Sequence, residues 1–427
     1  MSFRSKLIIV FISVAISLYA MLPGILGNFF PTFAQQPIND AGAQIRIFES
    51  VLQHIQNDYV DEPNLEKVRS GALRGLAYGL DPYSSYLTAE QVKDFQNKKQ
   101  NTLAGIGAEF SQVSGYLYVI SVIKGSPAEK AGLKGGDVIE YIESKATRDI
   151  SLYDARQLLF GENGSKIKLR VLRAGVRPQN IEVVRGSYKI PEAEIKVEDG
   201  KIGVVKVYSL EDGESNDIRN HVQQLTKQGV QKIILDLRGV SAGTINEAVA
   251  VANLFIKDGN LAQIIGRDNK ILKNFPADAS KFVFDGKMAV LIDISTAGPG
   301  EVLASAFVDR QRGDVVGERS FGAGTEQQLF ALRGGDGLLL TTSKWASATG
   351  KPFLGEDRAN SGVKPTVEVK RPDNSDSIDP EDLADQNENE PAEKPNQKED
   401  SNKPAPEDVQ LKKALELLQD KAMQKAA

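Results

Sequence analysis

The chain has 427 residues, 41% of them hydrophobic and 26% charged, with a formal net charge of −5. That length supports two or three domains with cores of their own, and the mild acidity offers no basic face for nucleic acid. There is no cysteine, which excludes disulfides, thiolate metal sites and cysteine nucleophiles. The two histidines, His54 and His221, stand far apart in segments that read as helices and in no metal-ligand spacing, so neither metal nor cofactor is expected.

At the amino end, Arg4 and Lys6 precede an uncharged run from Leu7 to Phe30. Such a run is long enough to cross a bilayer as a helix, with its positive end in the cytoplasm. Thr32-Phe-Ala34 followed by Gln35-Gln36 also fits a small-residue cleavage site. Residues 1–35 are expected to be an export segment, either a membrane anchor or a cleaved signal. The rest then lies in the cell envelope, periplasmic or extracytoplasmic, with the inner membrane as a partner if the anchor is kept.

Residues 41–101 read as a helical segment. Ile45, Phe48, Val51, Leu52 and Ile55 recur on one face, and a second run from Leu65 to Leu80 stops at Asp81-Pro82. Between 102 and 188 two markers stand out, Gly105-Ile-Gly-Ala-Glu-Phe110 and Gly125-Ser-Pro-Ala-Glu-Lys-Ala-Gly-Leu-Lys-Gly-Gly-Asp-Val-Ile139. Strands are expected over Tyr116–Val122 and Lys166–Leu172, and a helix over Ser151–Phe160. This stretch resembles a PDZ domain, a β-rich fold with helices. The resemblance implies that a peptide adds as a strand to an exposed edge and leaves its terminal carboxylate on backbone amides. Gly105, Ile106, Gly107 and Ala108 are the expected carboxylate loop, with Leu158 and Leu159 on the opposite wall.

From 189 to 371 strands and helices alternate. Strands are expected at Ile202–Val207, Lys232–Leu237 and Ala289–Ile292, and helices at 215–229, 246–256 and 301–309. Alternation of this kind predicts a crossover-built sheet with helices on its faces and functional groups in the loops after strand ends. Residues 372–405 are rich in Asp, Glu, Asn, Pro and Lys and read as a solvated linker. In 406–427, Asp408 to Leu418 forms a short amphipathic helix, which either docks or stays isolated.

Two segments of the third region carry a second resemblance. Val290-Leu-Ile-Asp-Ile-Ser-Thr-Ala-Gly-Pro-Gly-Glu301 and Val316-Gly-Glu-Arg-Ser-Phe-Gly-Ala-Gly-Thr-Glu-Gln327 resemble the nucleophile and lysine segments of the carboxyl-terminal processing peptidases, the tail-specific serine proteases. Asp58-Tyr-Val-Asp-Glu62, the run from Gly71 to Leu87 and the final helix are similar to elements of the same family. The resemblance implies a multidomain α+β chain: a helical segment, a PDZ domain and an α/β core of the crotonase-like or ClpP-like type.

In that alignment the serine position is Gly298 and the lysine position is Ala323. The oxyanion turn reads Asp236-Leu-Arg-Gly-Val-Ser-Ala-Gly243, so Ala242 replaces one glycine of a pair and Gly243 keeps the other. Pro299 removes an amide beside the nucleophile position, and Gln327 matches a position near the lysine. Hydrolysis needs an activated hydroxyl, a neutral amine and oxyanion donors. The expectation is therefore an inactive homologue binding protein C-termini or unfolded polypeptides as an adaptor or regulator. An active homologous peptidase or a second copy of the chain is its expected partner. The alternative is a working serine endopeptidase acting on envelope proteins, its nucleophile relocated to Ser295 or Thr296 and its base to Lys344.

Overall fold

The computed structural model describes residues 40–97, 103–198, 201–371 and 407–419. The expected export segment at 1–35 and the linker at 372–405 lie outside those residues. Two compact units are present, residues up to 69 and residues from 70 onward.

In the first unit the helix Ala41–Asp58 is capped by Asp40, whose carboxylate accepts from the Gly42 amide at 3.2 Å. His54 Nδ1 lies 2.6 Å from Asp58 Oδ2 one turn on, at an exposed position. The helix Leu65–Tyr78 leads the chain into the second unit. Beyond it the helical expectation for 41–101 meets a correction, because Ser85–Leu87 is a strand. It pairs antiparallel with Gly337–Ser347, Ser85 opposite Leu339 and Leu87 opposite Gly337. The periodic helical run has already stopped at Asp81-Pro82, and the long-range ladder sets the conformation beyond it. Thr88 and Gln91 then close a reciprocal cap on the helix Ala89–Gln96.

The second region forms a β-sheet in the order Ala108–Val113, Tyr116–Val122, Val138–Ile142, Lys166–Arg173, Val176–Val184. Alternation sorts its faces. Ile167, Leu169 and Val171 point inward with Phe110, Leu117 and Ile139, while the intervening Lys168 and Arg170 stay in water. The helix Leu152–Leu159, capped by Ser151, covers this core. The other face of the sheet buries Tyr118, Ile120 and Val138 against Ala297 and Phe321 of the next region. The Tyr118 and Phe321 rings stack 5.5 Å apart at 21°.

The third region is built on a sheet ordered Val367–Glu368, Asp314–Gly317, Lys287–Ile292, Lys232–Asp236, Ile202–Lys206, Glu194–Glu198. All neighbours are parallel except the last pair. Parallel strands need coverage on both faces, and this sheet has it. Ile233, Leu235, Val290 and Ile292 face the helices Glu214–Lys227, Ile245–Ala252 and Pro299–Asp309. Ile234, Ala289, Leu291 and Val316 face Ala414 and Leu418 of the helix Val409–Leu418. The amphipathic carboxy-terminal helix is thus docked. Arg238 holds it, with Nη1 and Nη2 each 2.8 Å from an Asp408 oxygen and a second fork onto Asp236. Burial alone would weaken the Arg238 charge, but Asp236 and Asp408 outweigh burial and hold its pKa above the ordinary value.

Glu214 opens the helix Glu214–Lys227 at 8% exposure, and its Oε1 is buried without a hydrogen-bond partner among the described residues. Burial, then Asp217, pushes this carboxyl up to about 7, with Glu247 and Glu192 adding to the effect and the Ala193 amide opposing it. A folded-state pKa above the ordinary 4.5 means that the fold holds a proton the unfolded chain releases. The stability from this group is therefore complete below pH 4.5 and is lost as pH rises through about 7. Urea midpoints measured on either side of that window should fall with rising pH, and Glu214→Gln should flatten that decline. An unchanged pH slope in the variant would refute this assignment.

Candidate functional site

The site forms where the parallel strands end and the chain turns back. After Lys232–Asp236, Arg238 is tied to Asp236, and the Gly239 amide donates to Asp293 Oδ1 at 3.0 Å. The turn then runs to Gly243, which bridges to Leu210 in parallel fashion. Gly243 has φ +127°, and a Cβ there would stand 2.1 Å from the Leu210 carbonyl oxygen, so no other residue fits. The neighbouring Ala242 is buried and its carbonyl accepts from the Leu210 amide at 2.8 Å.

Strand Lys287–Ile292 feeds a second turn that ends at Gly298, the residue preceding the helix Pro299–Asp309. Gly298 holds φ 49° and ψ −110°, a strained strand-to-helix corner of the kind that presents a nucleophile. A Cβ at this point would meet nothing closer than the Ser241 oxygen and the Trp345 ring, both at 3.7 Å. With glycine at this corner, no side chain is displayed there. Pro299 suits the first helical position, where its lost amide breaks no helical bond. The same proline leaves no amide donor beside Gly298.

Glu301 joins the turns that carry Gly298 and Ala323. Its side chain is fully buried, and its Oε2 accepts from the amides of Gly298 and Ala323, each at 2.8 Å. Its Oε1 accepts from Ser320 Oγ at 2.5 Å and the Gly322 amide at 2.7 Å. Burial pushes this carboxyl up to about 7, against the pull of the Ala323, Ser320, Gly298 and Gly322 donors. Positions 298 and 323 thus meet on one oxygen atom.

The surrounding cleft, about 180 Å³, is lined by Gly298, Ala323, Ser241, Gln327, Tyr83 and Trp345 among others. Gln327 Nε2 donates to Thr325 Oγ1 at 2.7 Å and Thr341 Oγ1 at 3.3 Å, and Thr341 Oγ1 in turn donates to Asp81 at 3.1 Å. The relocated-nucleophile candidates Ser295 and Thr296 and the candidate base Lys344 are absent from that lining. Thr296 is fully buried, and its hydroxyl donates to the Leu237 carbonyl at 3.0 Å while accepting from the Asp293 amide. The Ser295 amide donates to Asp293, and Lys344 Nζ donates to the Leu354 carbonyl at 3.0 Å.

A separate groove of about 470 Å³ opens along the segment Leu103–Phe110. The carbonyls of Gly105, Ile106 and Gly107 accept from the amides of Gly186, Ala128 and Ile123 at 3.2, 2.7 and 3.0 Å. Among the described residues the amides of those same three residues donate to no protein acceptor. Such a loop receives an anion. Ala108–Val113 beside it is an edge strand. Leu159, a buried member of the β-sheet core, also lines the groove; Leu158, only partly buried against that core, does not, and its carbonyl accepts from Arg185 Nη2 at 2.7 Å. A helix turns successive residues by about 100°, so adjacent leucines cannot share one wall.

Sequence reading did not single out Arg156, Phe160 and Tyr188, which also line the groove, nor Tyr83 and Trp345 in the cleft. Helical spacing from Leu159 was the available signal for Arg156. The chain's single tryptophan gave no signal, because strand pairing alone carries it to Gly298.

Residues 201–369 match the description of peptidase family S41, and residues 118–173 match the PDZ domain. The chain is 29% identical over 369 residues to the carboxy-terminal processing protease CtpA of Bacillus subtilis (strain 168), covering 86% of this chain and 78% of that protein. It is 30% identical over 347 residues to a probable CtpA-like serine protease of Staphylococcus aureus (strain bovine RF122 / ET3-1), covering 80% of this chain and 68% of that one. Among solved structures, the photosystem II D1 C-terminal processing protease superposes with a TM-score of 0.63 at 25% identity, over 76% of this chain and 86% of that chain.

Proposed function

The chain belongs to the CtpA-like serine proteases of peptidase family S41, and from that premise we propose that it is an exported homologue that has lost hydrolysis and kept peptide binding. The observation that carries this reading is the geometry at Glu301. The corner at Gly298 and the loop at Ala323 are held together on Oε2, while the two side chains that would do the chemistry are a hydrogen and a methyl. Pro299 withdraws an oxyanion donor as well, so more than one element of catalysis is gone.

Binding rests on the other hollow. Free amides at Gly105, Ile106 and Gly107 suit a terminal carboxylate, and the edge strand Ala108–Val113 suits an added β-strand. The ligands are the carboxyl ends of proteins or of unfolded polypeptides, and the protein serves as an adaptor or as a regulator of an active relative. The charged start and uncharged run of residues 4–30 support export, which fractionation of cells into cytosol, membrane and envelope fluid checks directly.

The test of the binding reading is chemical. A peptide with a free carboxylate should bind at least tenfold more tightly than the same peptide amidated at its carboxyl end, since charge-assisted hydrogen bonds are worth about 1.5–3 kcal/mol. Equal affinities in calorimetry would remove the carboxylate loop from the account.

A further inference from the structure

The hairpin formed by Asn260–Ile265 and Ile271–Pro276 joins a buried root to an uncovered arm. Leu261, Ala262, Ile264 and Phe275 belong to the main apolar core and fix the root. Every residue from 267 to 274 is exposed. The strand Ile271–Pro276 pairs with its hairpin partner alone, so its outer edge is open. We infer that this arm is a contact for an anionic phospholipid surface. Arg267, Lys270 and Lys273 meet the phosphates, while Ile271 and Leu272 enter the layer between headgroups and acyl chains. The contact is independent of peptide binding in the groove.

Charge selects the sign of the partner. The chain as a whole is acidic, with a net charge of −5, whereas residues 267–274 hold three cations and one carboxylate, Asp268. Among the described residues none of these cations pairs with a carboxylate. The turn is tight, because the Gly266 amide donates to the Lys270 carbonyl at 2.8 Å and the Lys270 amide to the Arg267 carbonyl at 3.1 Å. Arg267 and Lys270 therefore stand together at the tip. Lys273 lies along the arm, its Nζ 4.4 Å from the centre of the Phe275 ring.

Apolar exposure selects a lipid over a folded partner. Ile271 and Leu272 are 50% and 55% exposed. Successive side chains of a strand point to opposite faces, so each face of the arm holds an aliphatic group in water. Lysines are the ordinary guard of an open edge, but guarding an edge does not require two uncovered aliphatic neighbours. A folded protein covers one face of a strand, whereas the interfacial layer of a bilayer surrounds whatever enters it. The stems of Arg and Lys then follow the aliphatic pair inward while their charges stay at the phosphates.

The experiment reconstitutes the full chain in vesicles. An anchor within residues 1–35 would bring any such chain to a bilayer, so the readout must be local to the hairpin. The chain has no cysteine, and Leu272→Cys therefore supplies a single thiol for a fluorophore whose emission moves to the blue on leaving water. Vesicles of phosphatidylcholine mixed with phosphatidylglycerol should give the blue shift, and vesicles of phosphatidylcholine alone should not. A nitroxide at the headgroup end of the acyl chains should quench the label in the mixed vesicles. Each cation near an anionic surface contributes roughly fivefold in affinity. Arg267→Glu, Lys270→Glu and Lys273→Glu together should therefore abolish the shift, with Tm unchanged because all three side chains are exposed. Equal emission in the two kinds of vesicle, or a shift that survives the three reversals, would overturn the anionic contact. A shift without quenching would overturn the entry of the aliphatic pair. A shift that needs no vesicles and grows with protein concentration would place a second copy of the chain on the arm and refute the lipid surface.

Discussion

We expect the protein to leave an unfolded polypeptide intact, and the variant Gly298→Ser with Ala323→Lys to cut it. The scaffold is prepared for both side chains. Gly298 already holds the strained corner, and a Cβ there meets no atom closer than 3.7 Å. A serine would bear about 1–3 kcal/mol of backbone strain in that conformation, which the turns anchored on Glu301 and Asp293 can absorb. Ala323 packs against the apolar cluster of Tyr118, Ile120, Val138, Ala297 and Phe321. An amine placed in such surroundings is desolvated, and its pKa falls toward the neutral form that a base requires.

Adding Pro299→Ala to that pair should raise the turnover rate by about a hundredfold, the effect of one oxyanion donor. Substrate digestion followed over time compares the unsubstituted protein with the two variants. Cleavage by the unsubstituted protein would overturn the inactive reading outright. Cleavage by the three-residue variant alone would show that the missing amide matters as much as the missing dyad. Silence from every variant would place the defect in the turn at Ala242 and overturn the expectation that the scaffold is intact.

Glu301→Gln should destabilise the fold by about 2–3 kcal/mol, read as a lower urea midpoint with an unchanged slope. Each carboxylate oxygen has a backbone amide aimed at it: Gly298 and Ala323 at Oε2, Gly322 at Oε1. Whichever way a glutamine amide is turned, its NH2 group faces at least one of these N–H donors. One buried donor is then left without an acceptor, and a donor meets a donor at hydrogen-bond distance. Glu301→Ala should cost more, because Ser320 also loses its acceptor. A glutamine variant as stable as the parent would mean that the two dyad positions are held by something other than this carboxylate.

Much of the molecule was legible in its residues. The alternation in Lys166–Arg173 and the continuous apolar runs in Lys232–Asp236 and Lys287–Ile292 reported strands with one and two buried faces. Ser151 stands at a helix start, where its side chain caps the first turn. Those signals are local, and periodicity carries them.

What the chain alone determined, then, was the order of its elements and the family resemblance carried by its motifs. Tertiary structure decided the rest. Only folding brings the Gly298 and Ala323 amides to one oxygen of Glu301, stacks Phe321 on Tyr118 of the neighbouring β-sheet, and sets Trp345 beside the vacant corner. Only folding makes Ser85–Leu87 a strand, through a ladder to residues some 250 positions away, and decides that the helix Val409–Leu418 docks, through Arg238. The physical reason is common to these cases. Hydrogen bonds, ring contacts and apolar burial act over a few ångströms of space and carry no mark of the sequence separation they close.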